Sequence, residues 1–315
     1  MPNLLRHFAG AAIGSLEFML RKLSPNDVSW LARNAVLDRK KPGSRVLAQF
    51  GYQAHMSWEN AQYDVRLNGE SELLERMAAF SPAVLFDVGA NVGDWSIAAA
   101  AVNSAATIHA FEIMDPTYAK LTKGLAGLGE RVVANNFGLF DKAGEITIYF
   151  AEASDVHSSV FAESHNVVGN TKVVARQRPV VTGDDYMKSQ SIAHIDLLKI
   201  DVEGAELQVL AGFQNALAEG RVDVLQFEYG KCSLVARTFL KDFFSFFEPR
   251  GYVLGKMLPD GIDFCDYDIG LEDFIGPNYV ACKKNRQDII SALSLPAGSA
   301  YRSRVRAGEG TSGPL

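Results

Sequence analysis

Between residues 84 and 230, short β-rich runs alternate with helical stretches, and few architectures accept that order. Val84–Val88, Thr107–Ile113, Val132–Leu139, Asp196–Val202 and Val222–Glu228 read as strands. Gly93–Val102, Pro116–Leu128, Ala205–Ala218 and Leu234–Phe247 read as the helices between and after them. Strands separated by helices imply a parallel sheet covered on both faces, a doubly wound α/β fold. Glu145–Phe150 alternates tightly and reads as a neighbouring strand; residues 151–180 read as polar and irregular, with one strand near Lys172–Ala175. Tyr252–Met257 and Tyr279–Lys283 close this domain, residues 83–290. Ahead of it, residues 1–45 read as a helical extension that stops at Lys41-Pro42-Gly43. Residues 46–82 read as a lead-in: a strand pair within Val46–Val65, a turn at Asn68-Gly69, and a helix ending at Ser81-Pro82. The Gly-, Ser- and Arg-rich stretch 296–315 is expected to be disordered.

Charge narrows the partners. Residues 1–45 carry +5 and residues 301–315 carry +2, which leaves −13 on residues 46–300. A body that acidic is unsuited to wrapping nucleic acid, so no nucleic-acid partner is expected. The apolar run Phe8–Leu20 has 13 residues and is interrupted by Glu17. It is short of the roughly 20 residues of a membrane span and reads as an N-terminal helix rather than a membrane anchor. The three cysteines, Cys232, Cys265 and Cys282, form no C-x-x-C pair and read as buried thiols of a reducing, cytoplasmic compartment.

In an open α/β sheet, ligands gather outside the carboxyl ends of the strands. After the first strand stands Asp87-Val88-Gly89-Ala90-Asn91-Val92-Gly93-Asp94. Its glycines allow a tight turn, and the helix beginning at Gly93 directs free N–H groups at a ligand. After the second strand comes Phe111-Glu112-Ile113, where the Glu112 carboxylate is placed to accept both hydroxyls of a ribose. The pair points to a nucleoside cofactor. S-adenosylmethionine is favoured over NAD, because Asn91 occupies the middle position of what would be G-x-G-x-x-G. Asp87 would also repel a pyrophosphate but suit the ammonium of a methionine moiety, directly or through water.

The fourth strand ends Leu197-Leu198-Lys199-Ile200-Asp201-Val202-Glu203-Gly204-Ala205-Glu206. Period 2 puts Lys199, Asp201 and Glu203 on one side. Ionisable groups in a central strand are costly unless paired or working. Lys199 and Glu203 are candidates for substrate contact or for a structural pair. Glu206 fits a helix start, and Asp201, where the strand leaves the sheet, reads as functional. Glu228 ends the fifth strand and either faces substrate or pairs with Lys199 or Lys231.

These strings, together with Asn136-Phe137-Gly138-Leu139-Phe140-Asp141-Lys142-Ala143-Gly144-Glu145, resemble the FkbM-type S-adenosylmethionine-dependent methyltransferases over roughly residues 80–230. The resemblance implies a class I methyltransferase fold, Rossmann-like, with a mostly parallel seven-stranded sheet whose last strand is reversed. It implies O-methylation of a sugar or natural-product hydroxyl, on a glycoside or a polyketide. By position, Gly89, Ala90, Asn91 and Gly93 look like the cofactor loop, Glu112 and Ile113 like the ribose side, Asn136 and Phe137 like the adenine flank. Asp201 falls beside the transferring methyl.

A sugar hydroxyl is a poor nucleophile and must lose its proton. Asp201 is the candidate base or orienter, and His157, in the polar insert, is the candidate histidine. His109, inside a strand, reads as a satisfied core histidine. No spacing signals a metal site, so none is assigned, and whether a divalent ion on Asp201 and Glu228 acidifies the hydroxyl instead is left open. Two rival readings remain: a catalytically silent cofactor-binding module of the same fold, and an NAD-dependent oxidoreductase. Oligomeric state and the acceptor's identity are left open.

Overall fold

The structure is a computed structural model. It describes residues 14–15, 17–19, 21–151, 154–163, 173–276, 278–299 and 301, and the side chains of 151 and 154–157 lie outside that description. The chain divides into two compact units, residues 1–58 and 59–315.

In the first unit, the helices Pro25–Leu37 and Pro42–Trp58 pack on each other. Ser24 caps the first, accepting from the Asp27 N–H while Asp27 accepts from the Ser24 N–H. The strand pair expected within Val46–Val65 is therefore a helix up to Trp58. Pro42 does not end a helix but opens one: its fixed φ and missing N–H suit a first helical turn. The run Phe8–Leu20 falls largely outside the described residues. Among the described residues, no helix is long and apolar enough to cross a membrane.

The second unit is built on an eight-stranded sheet ordered β11-β10-β12-β9-β8-β1-β2-β3. The strands are β1 Val84–Val88, β2 Thr107–Phe111, β3 Val132–Asn135, β8 Ile195–Ile200, β9 Val222–Glu228, β10 Tyr252–Leu258, β11 Gly261–Cys265 and β12 Asn278–Lys283. The pairs β1–β2, β2–β3, β1–β8 and β8–β9 are parallel. β12 runs antiparallel to both β9 and β10. Seven strands thus follow the expected arrangement, reversed last strand included. The eighth, β11, forms an antiparallel hairpin with β10 at the sheet edge, across the turn from Leu258 to Gly261.

Strand order reverses between β1 and β8, so the crevice lies there. Alternation sends Phe86, Leu198 and Phe227 to one buried face, beneath the helices Gly183–Ser189 and Leu240–Phe247. Leu85, Leu197 and Val224 go to the other, under Glu70–Ala78, Asp94–Val102 and Gln287–Leu293.

A second sheet, ordered β4-β7-β5-β6, was not foreseen. Its strands are β4 Gly138–Leu139, β5 Gly144–Ala151, β6 Ser154–Ser159 and β7 Val173–Val181. The expected strand Val132–Leu139 is split at Asn136-Phe137 between the two sheets. The polar stretch 151–180 contributes β7, which pairs with β5 along all of β5's length. Its outer face is solvated, so its alternation reads as polarity. The expected helix Ala205–Ala218 is two, Glu206–Ala211 and Gln214–Ala218, broken where Gly212 meets the Phe140 carbonyl. Leu234–Phe247 is likewise split, with Arg237 left-handed between Lys231–Ala236 and Leu240–Phe247. The tail expected to be disordered from residue 296 begins ordered: the Tyr301 hydroxyl donates to Glu59 Oε2 at 2.7 Å.

Candidate active site

Gly89 follows β1 with φ +82°, and Asp201 follows β8. A Cβ on Gly89 would lie 1.8 Å from the Asp201 carbonyl oxygen, so only glycine lets the two loops meet. Asn91 is also left-handed, and its N–H donates to Glu112 Oε2 at 3.0 Å. Glu112 Oε1 accepts the Met114 N–H at 2.8 Å. Each carboxylate oxygen keeps a lone pair for one further donor. Burial pushes the Glu112 carboxyl up to about 7, against the pull of those two N–H groups.

A cavity opens over this point. Gly89, Asn91, Glu112 and Ile113 line it from the main sheet, with Asp201 and Glu203 beyond. Its other wall comes from the second sheet and its approach: Gly138, Phe140, Ile146, Ile148 and Ser158 to Val160. The Ser159 hydroxyl donates to the Glu203 carbonyl at 2.8 Å and fastens that wall to the loop after β8. At Gly138, a Cβ would come within 2.8 Å of Ile113 Cδ1 and fill the space between the walls. The glycine cradles and an acid with free lone pairs fit an adenosyl group.

A second, more open groove lies on the far side of the Gly89 loop, between Tyr63–Arg66 and the helix Asp94–Val102. It reaches Lys199 and Asp201. Gly89, Asn91 and Asp201 line both spaces, so Asp201 stands where they adjoin.

Beneath runs a polar row. Register pairs Asp87 with Lys199 and Lys199 with Gln226. Asp87 is fully buried; its carboxylate takes the Ser96 hydroxyl at 2.7 Å and Lys199 Nζ at 3.2 Å. That burial leaves no direct contact with a ligand's ammonium, and of the two expectations, contact directly or through water, only the second is compatible with it. The acid faces Lys199 because both project to the same side of neighbouring strands. Lys199 Nζ also lies 3.4 Å from Asp201 Oδ2. Burial opposes its charge, but Asp87 and Asp201 outweigh this and hold the ammonium above its ordinary range. Gln226 Nε2 donates to Glu70, which accepts from Asn68 Nδ2 as well, so the row continues into the segment before the domain.

The remaining expected residues divide. Ala90 is buried, its N–H held by the Phe111 carbonyl, and Gly93 starts the helix with φ +97°. Asn136 and Phe137 do not line the cavity. The Asn136 side chain bonds Asp115 and Arg178, while Phe137 packs edge-on against Phe111. Arg178, which the sequence reading missed, binds the Ile113 carbonyl at 2.6 Å and both oxygens of Asp115. Glu203 is left-handed at φ +57° and accepts from Cys232 Sγ at 3.0 Å, while the ion pairs described for Lys199 are with Asp87 and Asp201. Glu206 opens its helix as expected and also accepts the Val202 and Gly204 N–H groups of the loop before it, and burial pushes it up to about 7. Glu228 pairs with neither Lys199 nor Lys231 among the described residues. His157 lies in β6, and its side chain is outside the described part. His109 is a satisfied core residue, 2.8 Å from the Tyr186 hydroxyl, and burial lowers it to about 4.

A His194–Asp196–Asp223 cluster sits at the opposite, amino ends of β8 and β9. Asp223 already faces Lys283 and Arg286, and Asp196 accepts the Ala83 and Val84 N–H groups. Those cations and N–H groups satisfy it as a structural junction.

Comparison with known proteins bears on this geometry. The sequence pattern described as "Methyltransferase FkbM domain" matches residues 87–254. The hexuronic acid methyltransferase AglP of Haloferax volcanii is 26% identical over 185 residues, which cover 57% of this chain and 72% of AglP. The AMB antimetabolite synthetase AmbE of Pseudomonas aeruginosa is 29% identical over 176 residues, 46% of this chain but 8% of that protein. Among solved structures, a methyltransferase FkbM from Methylobacillus flagellatus aligns with a TM-score of 0.41 and 15% identity, covering 64% of this chain and 44% of that one.

Proposed function

The chain belongs to the FkbM methyltransferase family, and from that premise we propose that it moves the methyl group of S-adenosylmethionine to a hydroxyl oxygen of a sugar or related natural product. The observation that carries the reading is Glu112: a buried carboxylate fixed by two backbone N–H groups, one on each oxygen, in the lining of the cavity. The similarity to AglP supports a sugar as acceptor class.

The sulfonium, when bound, supplies an electrophilic methyl carbon. The chain's share is placement. Glu112 would hold the ribose hydroxyls, Ile113 and Phe140 would flank the base, and the Asn91 turn would approach the sugar edge. Asp201, at the join of cavity and groove, would meet the acceptor hydroxyl arriving past Tyr63. Its ion pair with Lys199 fixes its direction.

Calorimetry with S-adenosylmethionine and with NAD tests the cofactor; binding of NAD alone would overturn the reading. Transfer of labelled methyl to a panel of glycosides, hexuronides included, and polyketide alcohols tests the reaction. Cofactor binding with no transfer to any of them would favour a silent binding module.

A further inference from the structure

The groove beside the Gly89 loop meets the cavity at Asp201, and its lining decides the charge of what can enter. Among the described residues, its cations are Arg66 and Lys199, and both are engaged. Arg66 Nε and Nη2 bind the two oxygens of Asp64 at 2.9 and 2.8 Å. Lys199 Nζ lies 3.2 Å from Asp87 and 3.4 Å from Asp201, so one cation serves two carboxylates and the trio stays negative. Asp94, exposed in the first turn of the helix Asp94–Val102, makes no side-chain hydrogen bond or ion pair with a described residue. Its charge offsets the pull of that helix start on an anion. Tyr63, exposed on the other wall, lies within electrostatic reach of Glu228, Glu203 and Asp201. Val65, Trp95, Ile97 and Ala98 supply apolar lining for the C–H face of a sugar ring. The buried Trp95 indole N–H has no acceptor among the described residues. An oxygen ligand would satisfy it, and the surrounding charges decide which kind.

We infer that this groove admits an uncharged or cationic sugar, a hexoside or an aminohexoside, and rejects a hexuronide. The inference rests on the sugar acceptor proposed above and narrows it. The chain is similar to a hexuronic acid methyltransferase, yet no described residue lining this groove offers a carboxylate an unengaged cation. A carboxylate entering here would give up water without gaining a partner, and would face Asp94 and the negative trio around Lys199. An ammonium would be drawn in by the same charges.

Two measurements test it, and the first needs neither turnover nor a sugar. Tyr63→Cys places a thiol on the groove wall. Its rates of modification by a cationic and an anionic methanethiosulfonate are compared with those of free cysteine, the wild-type protein correcting for native thiols. The cationic reagent should be favoured at least about fivefold beyond its advantage on free cysteine, the effect of one charge at close range in water. Asp94→Asn and added salt should each reduce that preference. Equal rates, or a preference for the anionic reagent, overturn the inference even where methyl transfer is found. The second measurement uses methyl glucoside, its 6-amino-6-deoxy analogue and methyl glucuronide, with the matching galactose and mannose sets. In each set that accepts methyl, the carboxylate should fall at least about tenfold below the neutral sugar in kcat/KM, mainly through KM. Asp94→Lys should narrow that gap about fivefold, with S-adenosylmethionine affinity within about threefold of wild type reporting a folded variant. A hexuronide turned over fastest, and slowed by Arg66→Gln, overturns the inference and assigns the groove to acids held by Arg66. Transfer to none of the sugars would sink the sugar reading, while the thiol rates still decide the charge selection.

Discussion

Acidification should loosen nucleoside binding through one carboxyl, Glu112. It is 6% exposed and is pushed up to about 7 in the free protein. Both of its oxygens already accept a backbone N–H, so a ribose can be held only by the lone pairs that remain. Protonation uses up one of them and removes the charge that strengthens the others. If binding requires the ionised form, about half the sites are competent at pH 7 and about one in eleven at pH 6, so the dissociation constant should rise about tenfold between pH 8 and pH 6. 5′-Methylthioadenosine is the ligand to use, because it carries the ribose without the titrating amine of the full cofactor. Glu112→Gln should bind it roughly 10- to 100-fold more weakly, from loss of a charge-assisted bond of about 1.5–3 kcal/mol, and its affinity should be flat across this range. Isothermal titration calorimetry at both pH values reads the two effects. Equal wild-type affinity at pH 6 and pH 8, or a slope that survives in the glutamine variant, would refute the assignment of Glu112 to the ribose.

The same carboxyls set the stability of the free protein. Glu112 and Glu206 bind protons more tightly folded than unfolded, so the folded chain holds the extra protons between about pH 4.5 and 7. Stability should therefore fall as pH rises through that window, on the order of 3 kcal/mol per carboxyl, as read by urea unfolding at pH 5 and pH 8. Gly89→Ala should lose roughly 3 kcal/mol or more, from a positive φ and a methyl driven into the Asp201 carbonyl; unfolding within about 1 kcal/mol of wild type would contradict the contact. Lys199→Met strands Asp87 and should cost about 3–5 kcal/mol, and adding Asp87→Asn should recover part of it in a double-mutant cycle. Arg178→Ala, which frees the Ile113 carbonyl and Asp115, should raise the cofactor's dissociation constant roughly three- to tenfold by calorimetry, leaving the main sheet's unfolding transition in place.

The main sheet was legible in the sequence because buried parallel strands write themselves as apolar runs with turn residues at their carboxyl ends. Val222–Glu228 was read to the residue. The second sheet was hidden by its solvated face: Arg176, Gln177 and Arg178 in β7 look like loop until Arg178 is seen reaching back to Ile113. Breaks within helices were missed where the cause was tertiary. Gly212 yields to the Phe140 carbonyl, which lies 72 residues away in sequence. At the site, the spacing of the backbone loop was legible, and Gly89 and Glu112 line the cavity. Asp87 and Asn136 have partners that their spacing did not announce, because local spacing cannot say which neighbouring strand claims a side chain. Arg178 left a weak signal, a basic residue within an otherwise β-forming stretch.

The line of Asp87, Lys199, Gln226 and Glu70 across four elements has a bearing on how this chain can drift. Asp87 neutralises Lys199 and Gln226 hydrogen-bonds Glu70, while Lys199 and Gln226 meet only as register neighbours, all in a nearly dry interior. Replacing one alone leaves an opposite charge or an amide with nowhere to turn, whereas replacing neighbours together by apolar residues need not be harmful. Descendants should therefore either retain the whole line or shed it in linked pairs, and the orientation of Asp201 above it would change at the same step.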